Sequence, residues 1–318
     1  MDAVTLGEAL IGLDSNGRRL GSARALEKSV GGAESNTAIG LARLGHRTRF
    51  IGRVGDDPLG GEIEQTLRGE GVDVTHLTRD AGLPTAIMLK ERRSGRSVAV
   101  HYYRAGCAGS ALDPLDVAVD AIADARLLHV TGITLALGDA PRRAVRHAMH
   151  VAREAGVIVS LDANFRYKLG TASQLVGQFE EVVDLADHVL LSWGDAATCA
   201  GSEDAALVHA YVKGLGRPVT VLKGPRGGAT AFEDGVATAE VDVVTAEVVD
   251  PVGAGDGFAV GYLHGVLEGH DRHTCLTHGA WVAAQVVGHT GDYEGLPTRA
   301  ELEVATTPAP LSAPVVSR

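Results

Sequence analysis

Aromatic residues are scarce in this chain, with two Trp, six Tyr and five Phe among 318 residues. Basic residues are also outnumbered, 29 Lys and Arg against 40 Asp and Glu, for a formal charge of −11. With no Lys/Arg run, the chain lacks the footprint of a nucleic-acid binder. No apolar stretch approaches the roughly 20 residues of a membrane span. Met1 to Leu10 has no basic region and no long apolar segment, so no secretory signal is expected. The three cysteines, Cys107, Cys199 and Cys275, are far apart and in no metal-like spacing, which reads as free thiols in a reducing cytoplasm. His147 and His150 are three residues apart but have no third ligand in view, so the histidines are not expected to build a zinc site. Two nucleotide-binding motifs are missing as well. There is no G-x-x-x-x-G-K-[ST] loop, and no early G-x-G-x-x-G with an acid about 20 residues on, which argues against a P-loop enzyme and a dehydrogenase.

Hydrophobic residues make up 45% and charged residues 22%, a globular composition on a chain long enough to bury a full core. Short β-branched runs alternate with Ala/Leu-rich helical stretches, the pattern of an α/β sheet wound with crossover helices. Leu127 to Thr131, Val157 to Leu161, His188 to Leu191 and Val219 to Lys223 read as buried parallel strands. Pro141 to Ala155 and Ala205 to Lys213 read as covering helices, with Pro141 in a first turn that does not need its missing N–H. Leu10 to Val30 and Thr85 to Tyr103 alternate with period two, as strands with one wet face do. Ser94-Gly95 supplies a hairpin turn between two of them. The expected organisation is one domain over 1–305, with a small β-sheet lid from segments 10–30 and 85–104. The 306–318 tail, rich in proline, alanine and serine, is expected to be loose.

The sharpest local feature is Asp250-Pro251-Val252-Gly253-Ala254-Gly255-Asp256-Gly257-Phe258, ahead of an apolar helical run. Glycines at a helix start bring backbone N–H groups to an anion. Asp256 within such a nest would repel a phosphate, and makes sense as a general base for an attacking hydroxyl. Read alone, the run also fits a capped helix start with Asp256 on the helix dipole.

Here the chain resembles the ribokinase-like (PfkB) carbohydrate kinases. It carries Gly253 to Asp256 near the C-terminus, Gly31-Gly32-Ala33-Glu34-Ser35-Asn36 near the N-terminus and Gly52-Arg53-Val54-Gly55-Asp56-Asp57 between them. The resemblance spans Gly7 to about Glu303. It implies a mostly parallel sheet flanked by helices on both faces, with a β lid. It implies ATP and Mg²⁺, with a monovalent cation left open, and Asp256 as base with Gly253, Ala254 and Gly255 as the anion hole. Asp162-Ala163-Asn164-Phe165-Arg166 matches a family run, with Asp162 holding metal and Asn164 nucleotide. The family's Asn-x-x-Glu motif reads Ser192-Trp193-Gly194-Asp195, which keeps a carboxylate for metal at Asp195 and leaves Ser192 toward the nucleotide. Lys223 and Gly228 match the nucleotide loop, in which Pro225 replaces a glycine.

Tyr102-Tyr103-Arg104-Ala105-Gly106-Cys107-Ala108-Gly109-Ser110 is similar to a run of 2-keto-3-deoxygluconate kinases. By that resemblance Gly32, Asn36, Tyr102, Arg104, Ile133, Arg166, Asp256 and Asp292 line a sugar-acid pocket. Arg104 and Arg166 would face the carboxylate and keto end, where two guanidiniums repel unless an anion lies between them. Met88 stands in place of a pocket tyrosine, which keeps a neutral ketose open as substrate. The alternatives are a fructokinase- or ribokinase-type enzyme and a catalytically idle sensor of nucleotide or sugar. Self-association through the edges of the lid is expected.

Overall fold

The computed structural model describes residues 1–92, 98–225 and 227–306. The expected turn at Ser94-Gly95 and the tail after Thr306 lie outside the described residues. The larger sheet contains β1 (Ala3–Gly7), β4 (Thr48–Gly55), β5 (Leu77–Asp80), β8 (Leu127–Thr131), β9 (Ile158–Asp162), β10 (His188–Ser192), β11 (Val219–Lys223), β12 (Ala229–Glu233) and β13 (Val236–Val241). Their spatial order is β13-β12-β11-β10-β9-β8-β1-β4-β5. Neighbours from β11 to β5 are parallel, and β12 and β13 close one edge antiparallel. From β1 the chain moves outward through β4 and β5, and from β8 it moves the other way, so the winding reverses between β1 and β8. Open α/β sheets bind ligands outside the carboxyl ends of their strands at such a reversal.

The two alternating segments supply the second sheet: β2 (Leu10–Asp14), β3 (Glu27–Gly31), β6 (Ile87–Arg92) and β7 (Val98–Tyr103), in the order β3-β2-β6-β7. One buried strand is shifted by a residue from the sequence reading. Val157 donates back to the Ala152 carbonyl and ends a helix, while Asp162 joins the ladder opposite Thr131 and Leu190.

The helices are α1 (Ala33–Arg43), α2 (Pro58–Gly69), α3 (Val119–Ala123), α4 (Gly132–Ala136), α5 (Asp139–Glu154), α6 (Ala172–Glu180), α7 (Trp193–Ala200), α8 (Ala205–Gly214), α9 (Ala254–Glu268), α10 (Arg272–Val287) and α11 (Arg299–Thr306). Pro141 sits in the first turn of α5, as expected. Thr306, assigned to the loose tail from sequence, closes α11 instead. Strand residues alternate between two cores, because successive side chains leave opposite faces. Val4, Leu128, Val189 and Leu222 pack under α5 to α8, whereas Ala3, Leu127, Leu190 and Val221 pack under α1, α9 and α10.

Gly257, Gly261 and Gly265 recur every four residues on α9 and form one stripe against α10. A Cβ on Gly257 would lie 2.8 Å from Val286, one on Gly261 2.8 Å from the Gly279 nitrogen, and one on Gly265 2.8 Å from the Cys275 sulfur. The Gly261 contact is with backbone, which cannot rotate away. Gly261→Ala should therefore destabilise the fold by roughly 1–3 kcal/mol. Gly177→Ala, in α6 with nothing within 4 Å of its Cβ position, should stabilise it by about 0.4–1 kcal/mol. Urea unfolding of both variants checks the pair, and equal effects would contradict the packing account.

Candidate active site

A cavity of about 970 Å³ opens where the carboxyl ends of β9, β10 and β11 meet the start of α9. It brings together Tyr102, Asp162, Asn164, Arg166, Ser192, Asp195, Lys223, Gly228, Gly253, Ala254, Gly255 and Asp256. Gly32, Asn36, Arg104, Ile133 and Asp292, also expected from sequence, do not line it: Asn36 bonds Asp256, Arg104 stacks on Tyr102 and the Asp292 carbonyl lies against Gly253, while Gly32 and Ile133 sit at the starts of helices α1 and α4.

Gly253 caps α9 with φ 83°, and a Cβ there would lie 2.7 Å from the Asp292 carbonyl oxygen. Only glycine makes this turn without strain. The first N–H groups of a helix have no intrahelical acceptor, so this end presents donors and a partial positive charge to the cavity. Asp256 is in the first turn, but its side chain does not cap the helix. One oxygen accepts from Asn36 Nδ2 at 2.9 Å and the other from Asn164 Nδ2 at 3.4 Å. Asp256 faces the cavity and is otherwise enclosed, and this burial raises its pKa. The Asn36 hydrogen bond and the Arg166 charge oppose the rise, while Asp162 and Asp292 add to it. A carboxylate in that state accepts a proton more readily than an ordinary aspartate.

Asp162 forms an Asx turn, accepting from the Asn164 N–H at 3.1 Å. Its other oxygen pairs with Lys223 Nζ at 2.7 Å. Lys223 thus bridges the end of β11 to the end of β9. Ser192 and Asp195 form a capping box at the start of α7. The serine hydroxyl donates to Asp195 Oδ2 at 2.7 Å and accepts from the Asp195 N–H at 3.1 Å. The departure from the family motif therefore has a local structural role. Burial raises the Asp195 pKa, and the Asp162 charge adds to the rise. Two mutually repelling carboxylates with Lys223 as their near cation form a donor set that suits a hard divalent ion.

Away from this charged end the cavity is lined by Val243, Val244, Ala283, Ala284 and Val287 beside Gly224, Gly227 and Gly228. An apolar slot joined to an anion-binding helix end fits a purine nucleotide. Nothing in the residue pattern announces the slot, because its residues are short and apolar and come from a loop and a helix far apart.

The opposite end is roofed by the small sheet. Met88 pairs with Tyr102 and Lys90 with Val100 across β6 and β7, so all four share a face. Lys90, which the sequence reading passed over, forms a buried ion pair with Asp292. Burial raises the Asp292 pKa, with Lys90 opposing. A Cβ on Gly31 would lie 2.9 Å from Met88 Cε and overlap the Asp292 carboxylate, so the absent side chain makes room for both. Arg104 stacks over Tyr102 at 4.1 Å and pairs with buried Glu8 at 3.0 Å. The expectation of two uncompensated guanidiniums is therefore corrected. Glu8, at the end of β1, already neutralises Arg104. Two of its nitrogens, Nε and Nη1, remain buried without a partner. Arg166 forms no ion pair among the described residues, and its charge acts on both Asp256 and Asp292.

Glu34, in the first turn of α1, is fully buried, its Oε1 accepting from the Thr131 and Thr134 hydroxyls at 2.7 Å each. Ile133 follows Thr131 in the same turn. His147 and His150 are exposed on α5.

Residues 2–299 match the model described as pfkB family carbohydrate kinase. The chain is 35% identical over 306 residues to 2-dehydro-3-deoxygluconokinase of Bacillus subtilis (strain 168), covering 95% of this chain and 94% of that protein. It is 36% identical over 308 residues to 2-dehydro-3-deoxygluconokinase of Thermoproteus tenax, covering 94% and 92%. A solved PfkB protein from Polaromonas sp. JS666 superposes with a TM-score of 0.85 at 33% identity, over 95% of this chain and 99% of that one.

The Glu34 carboxyl gives a pH test of this packing. Burial raises its pKa from 4.5 to about 7, against the two threonine bonds. Between those values the folded chain binds a proton that the unfolded chain has released. Its contribution to stability is complete below about pH 4.5 and is lost as pH rises to about 7. Glu34→Gln removes that titration. The unfolding midpoint in urea should fall less for the variant than for wild type between about pH 5 and pH 7.5. Identical slopes would refute the assignment.

Proposed function

The chain belongs to the pfkB family of carbohydrate kinases, and from that premise we propose an ATP-dependent sugar-acid kinase acting on 2-keto-3-deoxygluconate or a close keto-deoxy sugar acid. The observation that carries the reading is Asp256, held by two side-chain amides beside the donor-rich start of α9. Asp256 takes the proton of the substrate's terminal hydroxyl, whose oxygen forms the new bond to phosphorus while ADP leaves. The N–H groups at Gly253, Ala254 and Gly255 stabilise the charge that develops on the transferring phosphoryl oxygens. Asp162 and Asp195 are the residues that would hold Mg²⁺, which supplies charge neutralisation at the phosphates. Asn164, Ser192, Lys223 and Gly228 border the nucleotide. Asp292, oriented by Lys90, offers its carboxylate to sugar hydroxyls. We extend the proposal to self-association through β3 and β7, the edges of the small sheet.

Arg166 is the specific support for an acid substrate, together with the two unpartnered nitrogens of Arg104 and the names of the relatives. Glu8 favours a second reading, a neutral ketose, because Arg104 needs no anion to balance it.

Asp256→Asn should retain nucleotide binding and lower turnover by roughly two to four orders of magnitude. A variant keeping more than half of wild-type turnover would remove Asp256 as base. Wild type should prefer 2-keto-3-deoxygluconate to fructose in kcat/KM. Arg166→Ala should lower the value for the acid by about 10- to 100-fold, the size of a lost charge-assisted hydrogen bond. The weak fructose value should change far less. A preference for fructose in wild type, or equal losses on both sugars, would favour the neutral-ketose reading.

A further inference from the structure

The far end of α9 gathers a second set of donor groups, unrelated to phosphoryl transfer. His264 and Glu268 stand one turn apart on the same helix face. His46 reaches them from the turn between α1 and β4. Its Nε2 lies 2.8 Å from Nδ1 of His264 and 3.9 Å from Oε1 of Glu268. Donor atoms of all three lie within 4.8 Å of one another. The helix rise puts His264 about 12 Å along the axis from Asp256. We propose that His46, His264 and Glu268 form a binding site for a divalent transition-metal ion of the zinc type, separate from the catalytic cation.

The donor chemistry fits. Two imidazole nitrogens and one carboxylate oxygen suit a borderline ion, which sits about 2.0–2.2 Å from each. Tetrahedral donors at that distance are roughly 3.3–3.6 Å apart, and the observed 2.8 and 3.9 Å straddle this range. Small side-chain rotations would bring them to it. The 2.8 Å contact between the two rings places one proton between their facing nitrogens, and a metal ion would take that proton's place. The carboxyl-terminal turn of a helix also favours a cation. A further nitrogen is close by. The His278 ring centroid on α10 is 5.5 Å from that of His264, and its buried Nδ1 has no partner.

Arg299 is the competitor. It donates to the two Glu268 oxygens at 3.3 and 3.4 Å, long bonds between partly exposed groups. Such a pair is weak, and a metal would displace it. The spacing of histidines in the sequence could not show this site, since His46 lies 218 residues from His264.

Calorimetric titration of the chelator-stripped, nucleotide-free full chain with Zn²⁺ tests the proposal. One Zn²⁺ should bind per chain and raise the melting temperature. Glu268→Gln, at a surface position, and His264→Gln should each weaken binding by at least about tenfold, ~1.4 kcal/mol. Arg299→Gln should tighten it. The Glu268→Gln chain should keep Mg²⁺-dependent turnover. Asp162→Asn should leave Zn²⁺ affinity unchanged. Equal Zn²⁺ affinity in wild type and Glu268→Gln overturns the proposal. So does loss of Zn²⁺ in Asp162→Asn, which would place it in the catalytic cleft, and so does the absence of stoichiometric binding.

Discussion

Along the Gly257, Gly261 and Gly265 stripe α9 places no side chain of its own against α10, and this close approach sets where α9 can point. The helix starts at the cavity because Gly253 turns the chain against the Asp292 backbone, and it cannot slide along α10 without driving atoms together. Asp256 inherits that fixity and receives its two amides from α1 and from the end of β9. Asp256, the proposed base, is therefore located by helix packing that begins at the next residue and carries no charge.

Much of this was legible in the residues. Runs such as Leu127 to Thr131 put apolar residues on both faces, with Leu127 on one and Leu128 and Val130 on the other, which fits a strand buried on both sides. Period-two alternation separated the small sheet from the large one, and Gly-Ala-Gly-Asp marked the start of α9. What escaped was long-range pairing of charge. Nothing near Arg104 in sequence announces Glu8, 96 residues earlier, and the guanidinium looked unpaired for that reason. Lys90 was closer to being readable. It shares the parity of Met88, and a strand that sends one toward the pocket sends the other.

Substitutions in the family motifs also read differently once packed. Ser192 and Asp195 keep a carboxylate at the cavity while capping α7 with each other, so the changed motif is locally self-consistent. Met88 fills the space beside Gly31 as an apolar contact. The roof over the proposed sugar end is thus less polar than a phenol would make it, and recognition of the proposed substrate there is left to Arg166, Arg104 and Asp292.

The small sheet is joined to the large layer by two buried ion pairs, Lys90 with Asp292 and Arg104 with Glu8. Lifting it would return four charged groups to water, and hydration of charge becomes less favourable as temperature rises. Apolar contacts along the same seam follow a different temperature law. The electrostatic part of the seam therefore resists warming better than the apolar part, so contact between the two sheets should persist closer to the melting point than a purely apolar seam would allow.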